Sequence, residues 1–128
     1  MLSCLIVTGD KTARDSIRVG FEQLQGFEIE TADGEWAREL VRTHVYDLVV
    51  ADTRLGDGSD GLEYLRHVKQ ELPDALVALI THGKSGRIGS RERNGLDLAA
   101  VFRVPVTTTE FFRAVSRVLE RLGSPTSQ

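Results

Sequence analysis

Four short apolar stretches of this 128-residue chain end in side chains suited to chemistry. Thr8-Gly9-Asp10 follows the run Leu2 to Val7, and Asp52 follows Leu48 to Ala51. Thr81-His82 follows Ala75 to Ile80, and Val104-Pro105 closes Ala99 to Val104. A carboxylate such as Asp52 at a strand end has three uses: nucleophile, cation ligand, or acceptor for the amides of the next loop. Asp10 fits either an N-terminal helix cap, a position aspartate favours, or a weak metal ligand beside Asp52. Thr81 offers a hydroxyl to a nearby backbone group. His82 invites a catalytic reading, because histidine is the side chain suited to proton transfer, but no nucleophile is evident beside it, so it reads as an exposed loop histidine.

These residues need elements to hold them. The runs Leu2 to Val7, Leu48 to Ala51 and Ala75 to Ile80 are short, rich in Val, Ile and Leu, and lack alternation, as in strands buried on both faces. Phe27 to Thr31 alternates and reads as an edge strand. Ala99 to Val104, with Arg103 near its end, reads as the other edge. Helical stripes fill the gaps: Ala13, Ile17, Phe21 and Leu24, stopped by Gly26, and then Trp36, Ala37, Leu40 and Val41, entered through Asp33-Gly34. Leu62, Leu65, Val68 and Leu72 follow, ended by Pro73. Phe111, Val115, Val118, Leu119 and Leu122 come last, behind a capping-box pair at Thr107 and Glu110.

Strands alternating with helices five times imply one doubly wound α/β domain of (βα)5, flavodoxin-like type over residues 1–122. The parallel five-stranded sheet is expected in the order 2-1-3-4-5. The stretch His82 to Gly95, glycine-rich and basic through Lys84, Arg87, Arg91 and Arg93, is expected as a short helix or a loop. Residues 123–128 read as a polar tail or linker. In such sheets ligands bind beyond the carboxyl ends of the strands, where strand order reverses, and that is where the four endings converge.

Composition narrows the function classes. A net charge of -3 argues against a nucleic-acid surface spread over the domain, and no direct nucleic-acid binding is expected. No apolar stretch is long enough for a membrane span, so a cytoplasmic setting is expected. The lone Cys4 sits in the first apolar run and reads as a small buried hydrophobe. His44, His67 and His82 are too scattered for a metal site.

The chain resembles the receiver domain of bacterial two-component response regulators over about residues 2–122. The resemblance rests on Leu48-Val49-Val50-Ala51-Asp52, on Leu55-Gly56-Asp57-Gly58 leading to Gly61-Leu62, on Thr81, and on Pro105. It implies that Asp52 is the phosphoacceptor and that Thr81 contacts the phosphoryl group. It also implies a magnesium ion held by an acidic pair after the first strand and a lysine just before the proline. Those positions are Thr8, Gly9 and Val104 here. A small residue after the threonine is replaced by His82, and the loop from Asp52 to Gly61 is one residue longer than usual.

Magnesium binds weakly without gathered carboxylates, which leaves Asp10 and Asp52 as weak ligands. Phosphoryl transfer depends on positioning and charge neutralisation, so the losses remove most of the catalysis. The expectation is a degenerate, or pseudo-, receiver: a signalling module without enzymatic activity that works by protein–protein contact. Expected partners are a signalling protein or an output domain of its own, with a histidine kinase or a homodimer as further options. The expected partner face comprises Val101, Arg103 and Phe112 on the fifth strand and last helix.

The alternative is a receiver still phosphorylated on Asp52 by a histidine kinase. A small phosphatase or dehalogenase using Asp52 lacks support, because Asp52-Thr53-Arg54 has no second acid. Nucleotide or flavin binding lacks a glycine-rich phosphate loop, since Thr8-Gly9-Asp10-Lys11 is too short.

Overall fold

The computed structural model describes residues 1–56, 58–82 and 95–122. Strands β1 (Leu2–Val7), β2 (Phe27–Ala32), β3 (Leu48–Asp52), β4 (Leu76–His82) and β5 (Ala100–Val104) form one parallel sheet in the order β2-β1-β3-β4-β5. Helices α1 (Lys11–Glu22), α2 (Gly34–Thr43), α3 (Gly61–Glu71) and α4 (Thr108–Arg121) cover its two faces. This is the doubly wound architecture and strand order read from the sequence.

Burial follows the sequence patterns. All five residues of β3, the central strand, are buried, whereas edge strand β2 holds only half-buried and exposed positions and edge strand β5 alternates buried with more exposed ones. One face of the sheet packs on α1 and α4 around Phe21, whose ring meets Phe27, Phe102 and Phe111 edge-on at 5.1, 5.9 and 5.2 Å. The other face packs on α2 and α3, where the buried Tyr64 hydroxyl donates to the Ala37 carbonyl at 2.9 Å. Burial holds that phenol well above its usual titration range. The Cys4 thiol is buried in β1 and pushed up for the same reason.

Each helix is started by the residue its sequence offers. Asp10, Asp33 and Asp60 cap α1, α2 and α3 through their side chains. Thr107 and Glu110 close a reciprocal capping box on α4.

Three details differ from the sequence reading. Strand β4 starts at Leu76 and runs two residues past Ile80, because Thr81 and His82 pair with Arg103 and Val104 of β5. Trp36 is not on the buried stripe of α2 but 55% exposed, since Ala37, Leu40 and Val41 face the sheet and Trp36 is rotated one position away. Leu24 packs on the core from beyond the end of α1. Asp57, most of the basic stretch between His82 and Gly95 with its four cations, and the tail 123–128 lie outside the described residues.

Candidate functional site at the carboxyl end of the sheet

Register brings the candidate residues together. Asp52 ends β3 beside Ile80 of β4, and His82 ends β4 beside Val104 of β5. Both side chains lie on the α1 side, because Asp52 shares the parity of Val50 and His82 that of Ile80. Thr8 leaves β1 next door, and Asp10 sits at the start of α1.

The Asp52 carboxylate is 1% exposed and surrounded by donors. Thr8 Oγ1 donates to Oδ2 at 2.6 Å, and His82 Nε2 lies 2.8 Å from Oδ2 and 2.9 Å from Oδ1. Thr53 Oγ1 and the Arg54 backbone N–H donate to Oδ1 at 3.2 and 3.1 Å. A carboxylate offers about four lone-pair directions, so this one is saturated by the protein itself. Thr8 is fixed in turn, since its hydroxyl accepts the Asp10 N–H at 3.0 Å.

Asp10 divides its carboxylate between two tasks. Oδ1 accepts from Thr12 N and Ala13 N at 2.9 and 3.3 Å, which caps α1. Oδ2 faces the Nδ1 edge of the His82 ring at 3.8 Å. The imidazole therefore spans two carboxylates, with Asp52 at close range and Asp10 at the rim. His82 also lines both clefts that open here. One, of about 260 Å³, is bounded by Asp10, Asp52, Arg54 and the glycines Gly9 and Gly56. The other, of about 390 Å³, lies between the start of α1 and Val104-Pro105-Val106.

The loop after β3 shapes the first cleft. A Cβ built on Gly9 would lie 2.7 Å from the Gly56 Cα, so the two loops touch backbone to backbone. Gly56 adopts φ +89°, which a side chain would strain. A Cβ on Gly61 would overlap the Asp52 carbonyl, so the entry to α3 is packed directly on the end of β3.

Thr81 is buried beside the site, and its Oγ1 has no hydrogen-bond partner among the described residues. Val101 is half-buried on β5, while Arg103 is exposed and bonded to Glu110 of α4 at 3.1 Å. Phe112 does not join these two. It is 39% exposed and lines a groove between α4 and α1 with Val19 and Gly20.

The contact that sequence reading did not foresee is that of His82. Read as a loop histidine, it is the last strand residue of β4 and bonds Asp52. Its parity with Ile80 two residues earlier was the available signal, had β4 been extended to residue 82.

The sequence matches the response regulator receiver domain over residues 4–95, and the chain belongs to that family. Such domains are the receiving modules of two-component signal transduction, working with histidine kinases and output domains. Among solved structures, it resembles the N-terminal domain of a response regulator/sensory box/GGDEF three-domain protein from Carboxydothermus hydrogenoformans. That match has TM-score 0.78 at 23% identity and covers 98% of this chain and 99% of that one. It resembles the chemotaxis response regulator CheY4 of Vibrio cholerae, with TM-score 0.77 at 18% identity, covering 93% and 99%. A response regulator from Burkholderia pseudomallei, solved with a phosphorylated aspartic acid, a calcium ion and citrate, matches with TM-score 0.70 at 16% identity, covering 98% and 76%. A search of curated proteins finds no match.

The described residues of the site do not fit the family's divalent cation. Among the described residues, no group of three or more His, Cys, Asp or Glu side chains is placed to hold a metal. Thr8 and Gly9 carry no carboxylate, Asp52 is saturated, and one oxygen of Asp10 is committed to its cap. Among the described residues, no helix is long and apolar enough to cross a membrane.

Proposed function

We propose that this domain is a pseudo-receiver: a two-component signalling module that docks a partner without phosphorylation of Asp52. The observation that carries this reading is the Asp52–His82 contact. The imidazole and the Thr8 hydroxyl occupy both oxygens of the carboxylate, where a phosphoacceptor needs a free lone pair and an approach path. Three further features support it. The Gly9–Gly56 contact leaves no room for an acid at residue 9, Val104 brings no cation, and no group of metal ligands is gathered among the described residues. Phosphoryl transfer is driven by positioning and charge neutralisation, and this site has neither a lysine at residue 104 nor an acid at residues 8 or 9 to supply them.

On this reading Asp52 has become a structural acceptor that ties β1, β3 and β4 together, and function has moved to the outer faces. A magnesium titration followed by backbone amide shifts tests the metal half. The reading predicts no saturable shifts at Asp10, Asp52 or Arg54 at millimolar magnesium. Saturable shifts confined to those residues would contradict it.

One observation favours the second reading, a receiver still phosphorylated on Asp52 by a histidine kinase. Among the described residues, the Thr81 hydroxyl is buried without a partner at the position that matches the family's phosphoryl contact. On that reading the His82 ring swings out to admit the donor, and magnesium-dependent labelling of Asp52 follows.

A further inference from the structure

We infer that the cleft beyond the carboxyl ends of β1 and β2 is a binding site for a planar aromatic molecule carrying one anionic group. A nucleoside monophosphate and an aromatic carboxylate share that chemistry. The inference goes beyond the signalling role proposed above and does not depend on whether Asp52 is phosphorylated.

Trp36 is the one tryptophan of the chain, and it is 55% exposed in the first turn of α2. Its indole lines a cleft of about 450 Å³ that His82 does not border. Gly9 after β1, Thr31 and Ala32 of β2, and Asp33 line it as well, and Arg14 enters from α1. Ligands bind at this end of an open α/β sheet, and the volume suits one small molecule rather than a peptide helix.

Each wall calls for a different part of the ligand. An exposed indole offers a flat face on which a second ring stacks. Charge decides the rest. The Asp33 carboxylate serves α2: Oδ1 accepts the Trp36 N–H at 3.0 Å, at the positive end of that helix. Arg14 is less well matched. Its Nε lies 3.5 Å from Asp15 Oδ1, and Arg18 Nη2 draws on the same oxygen at 3.5 Å. Contacts so long between partly exposed groups hold little. The cleft therefore sets a guanidinium suited to a carboxylate or a phosphate beside an exposed aromatic face. A cationic ring would be repelled by Arg14. Diphosphates and triphosphates do not fit, because Thr8-Gly9-Asp10-Lys11 is too short to cradle them and Asp10 already caps α1.

With one tryptophan in the chain, the indole N–H gives a single side-chain NMR resonance that reports on the cleft directly. The full chain is titrated with adenosine monophosphate and with naphthoate. Adenosine, naphthamide and ribose phosphate serve as counterparts that lack the charge or the ring. The expected result is a saturable shift of the indole resonance at millimolar concentration with at least one aromatic anion, its neutral counterpart binding about tenfold more weakly. Tighter binding of the monophosphate assigns the nucleotide class, and tighter binding of naphthoate the aromatic carboxylates. Arg14→Gln should lower the anion to the affinity of its neutral counterpart. Trp36→Ala, followed through the ligand's own signals, should abolish saturable binding, and Arg117→Gln on α4 should change nothing. Thermal unfolding checks that each variant keeps its fold. The inference is overturned if neither anion saturates, if the neutral counterparts bind equally, or if ribose phosphate binds as tightly. It is also overturned if folded Arg14→Gln binds the anion as the wild type does.

Discussion

The His82 imidazole lies 2.8 Å from Asp52 Oδ2 and 2.9 Å from Oδ1, so one ring spans both oxygens of a buried carboxylate. Two residues thirty positions apart meet because β3 and β4 are neighbours and both side chains point toward α1. On the function proposed above, the contact makes Asp52 a structural group. Asp52→Ala is therefore expected to destabilise the fold by about 1–3 kcal/mol, since it strands the Thr8 hydroxyl and the imidazole together. Urea unfolding measures this, and a neutral or stabilising result would show that the carboxylate contributes nothing to the fold.

Removing the ring tests the other partner. In His82→Ala the Asp52 carboxylate keeps Thr8, Thr53 and the Arg54 amide but loses the ring nitrogen that meets both of its oxygens. The expected loss is about 1–2 kcal/mol by urea unfolding. The variant alone is not expected to accept a phosphoryl group, because neither the metal ligands nor a cation at residue 104 has been restored.

Restoration is the stronger challenge. A triple variant, His82→Ala with Thr8→Asp and Val104→Lys, clears the carboxylate and supplies an acid and a cation. With magnesium at about ten times its Kd, it should gain about 1.4 kcal/mol of stability, seen as a rise in Tm, while the wild type gains none. Gly9→Asp is the wrong route: its side chain would start 2.7 Å from the Gly56 Cα, and the fold should lose stability.

The β5–α4 face carries a pH signature. Arg103, followed by the Thr107 backbone, holds the Glu110 carboxyl below its usual range. A depressed acid binds fewer protons in the folded state, so its contribution is fully present above the ordinary carboxylate range near about 4.3 and is lost as pH falls through its folded value. NMR titration of Arg103→Gln should show the Glu110 titration moving upward. No movement would separate the two residues in solution.

The capping box at the start of α4 gives a local control. Thr107→Ala removes the acceptor for the Glu110 amide at 3.1 Å and should cost about 1 kcal/mol by urea unfolding.

Much of this structure was legible in the sequence because patterning and fold agree at the elements that matter. The non-alternating runs became the inner strands β1, β3 and β4, the alternating Phe27 segment became edge strand β2, and Asp33, Asp10 and Thr107 marked helix starts. What failed was the length of β4. A strand that ends in Thr-His looks like a loop in one dimension, and only pairing with Arg103 and Val104 extends it. Trp36 failed for a related reason. A large apolar residue one position off the stripe is indistinguishable by type from a core residue, and the helix phase decides. The closure of the site was half legible. The missing acids at residues 8 and 9 and the missing lysine at 104 stand in the sequence, but the ring that fills the space and the Gly9–Gly56 backbone contact exist only in three dimensions.

The most direct test of the closed site is intact mass after incubation with a small acyl-phosphate donor, with and without magnesium, beside an Asp52→Ala variant and an ordinary receiver as control. The account predicts labelling of the control and no phosphoryl adduct on this domain. A magnesium-dependent adduct on the wild type that Asp52→Ala abolishes would contradict it and make this domain a working receiver.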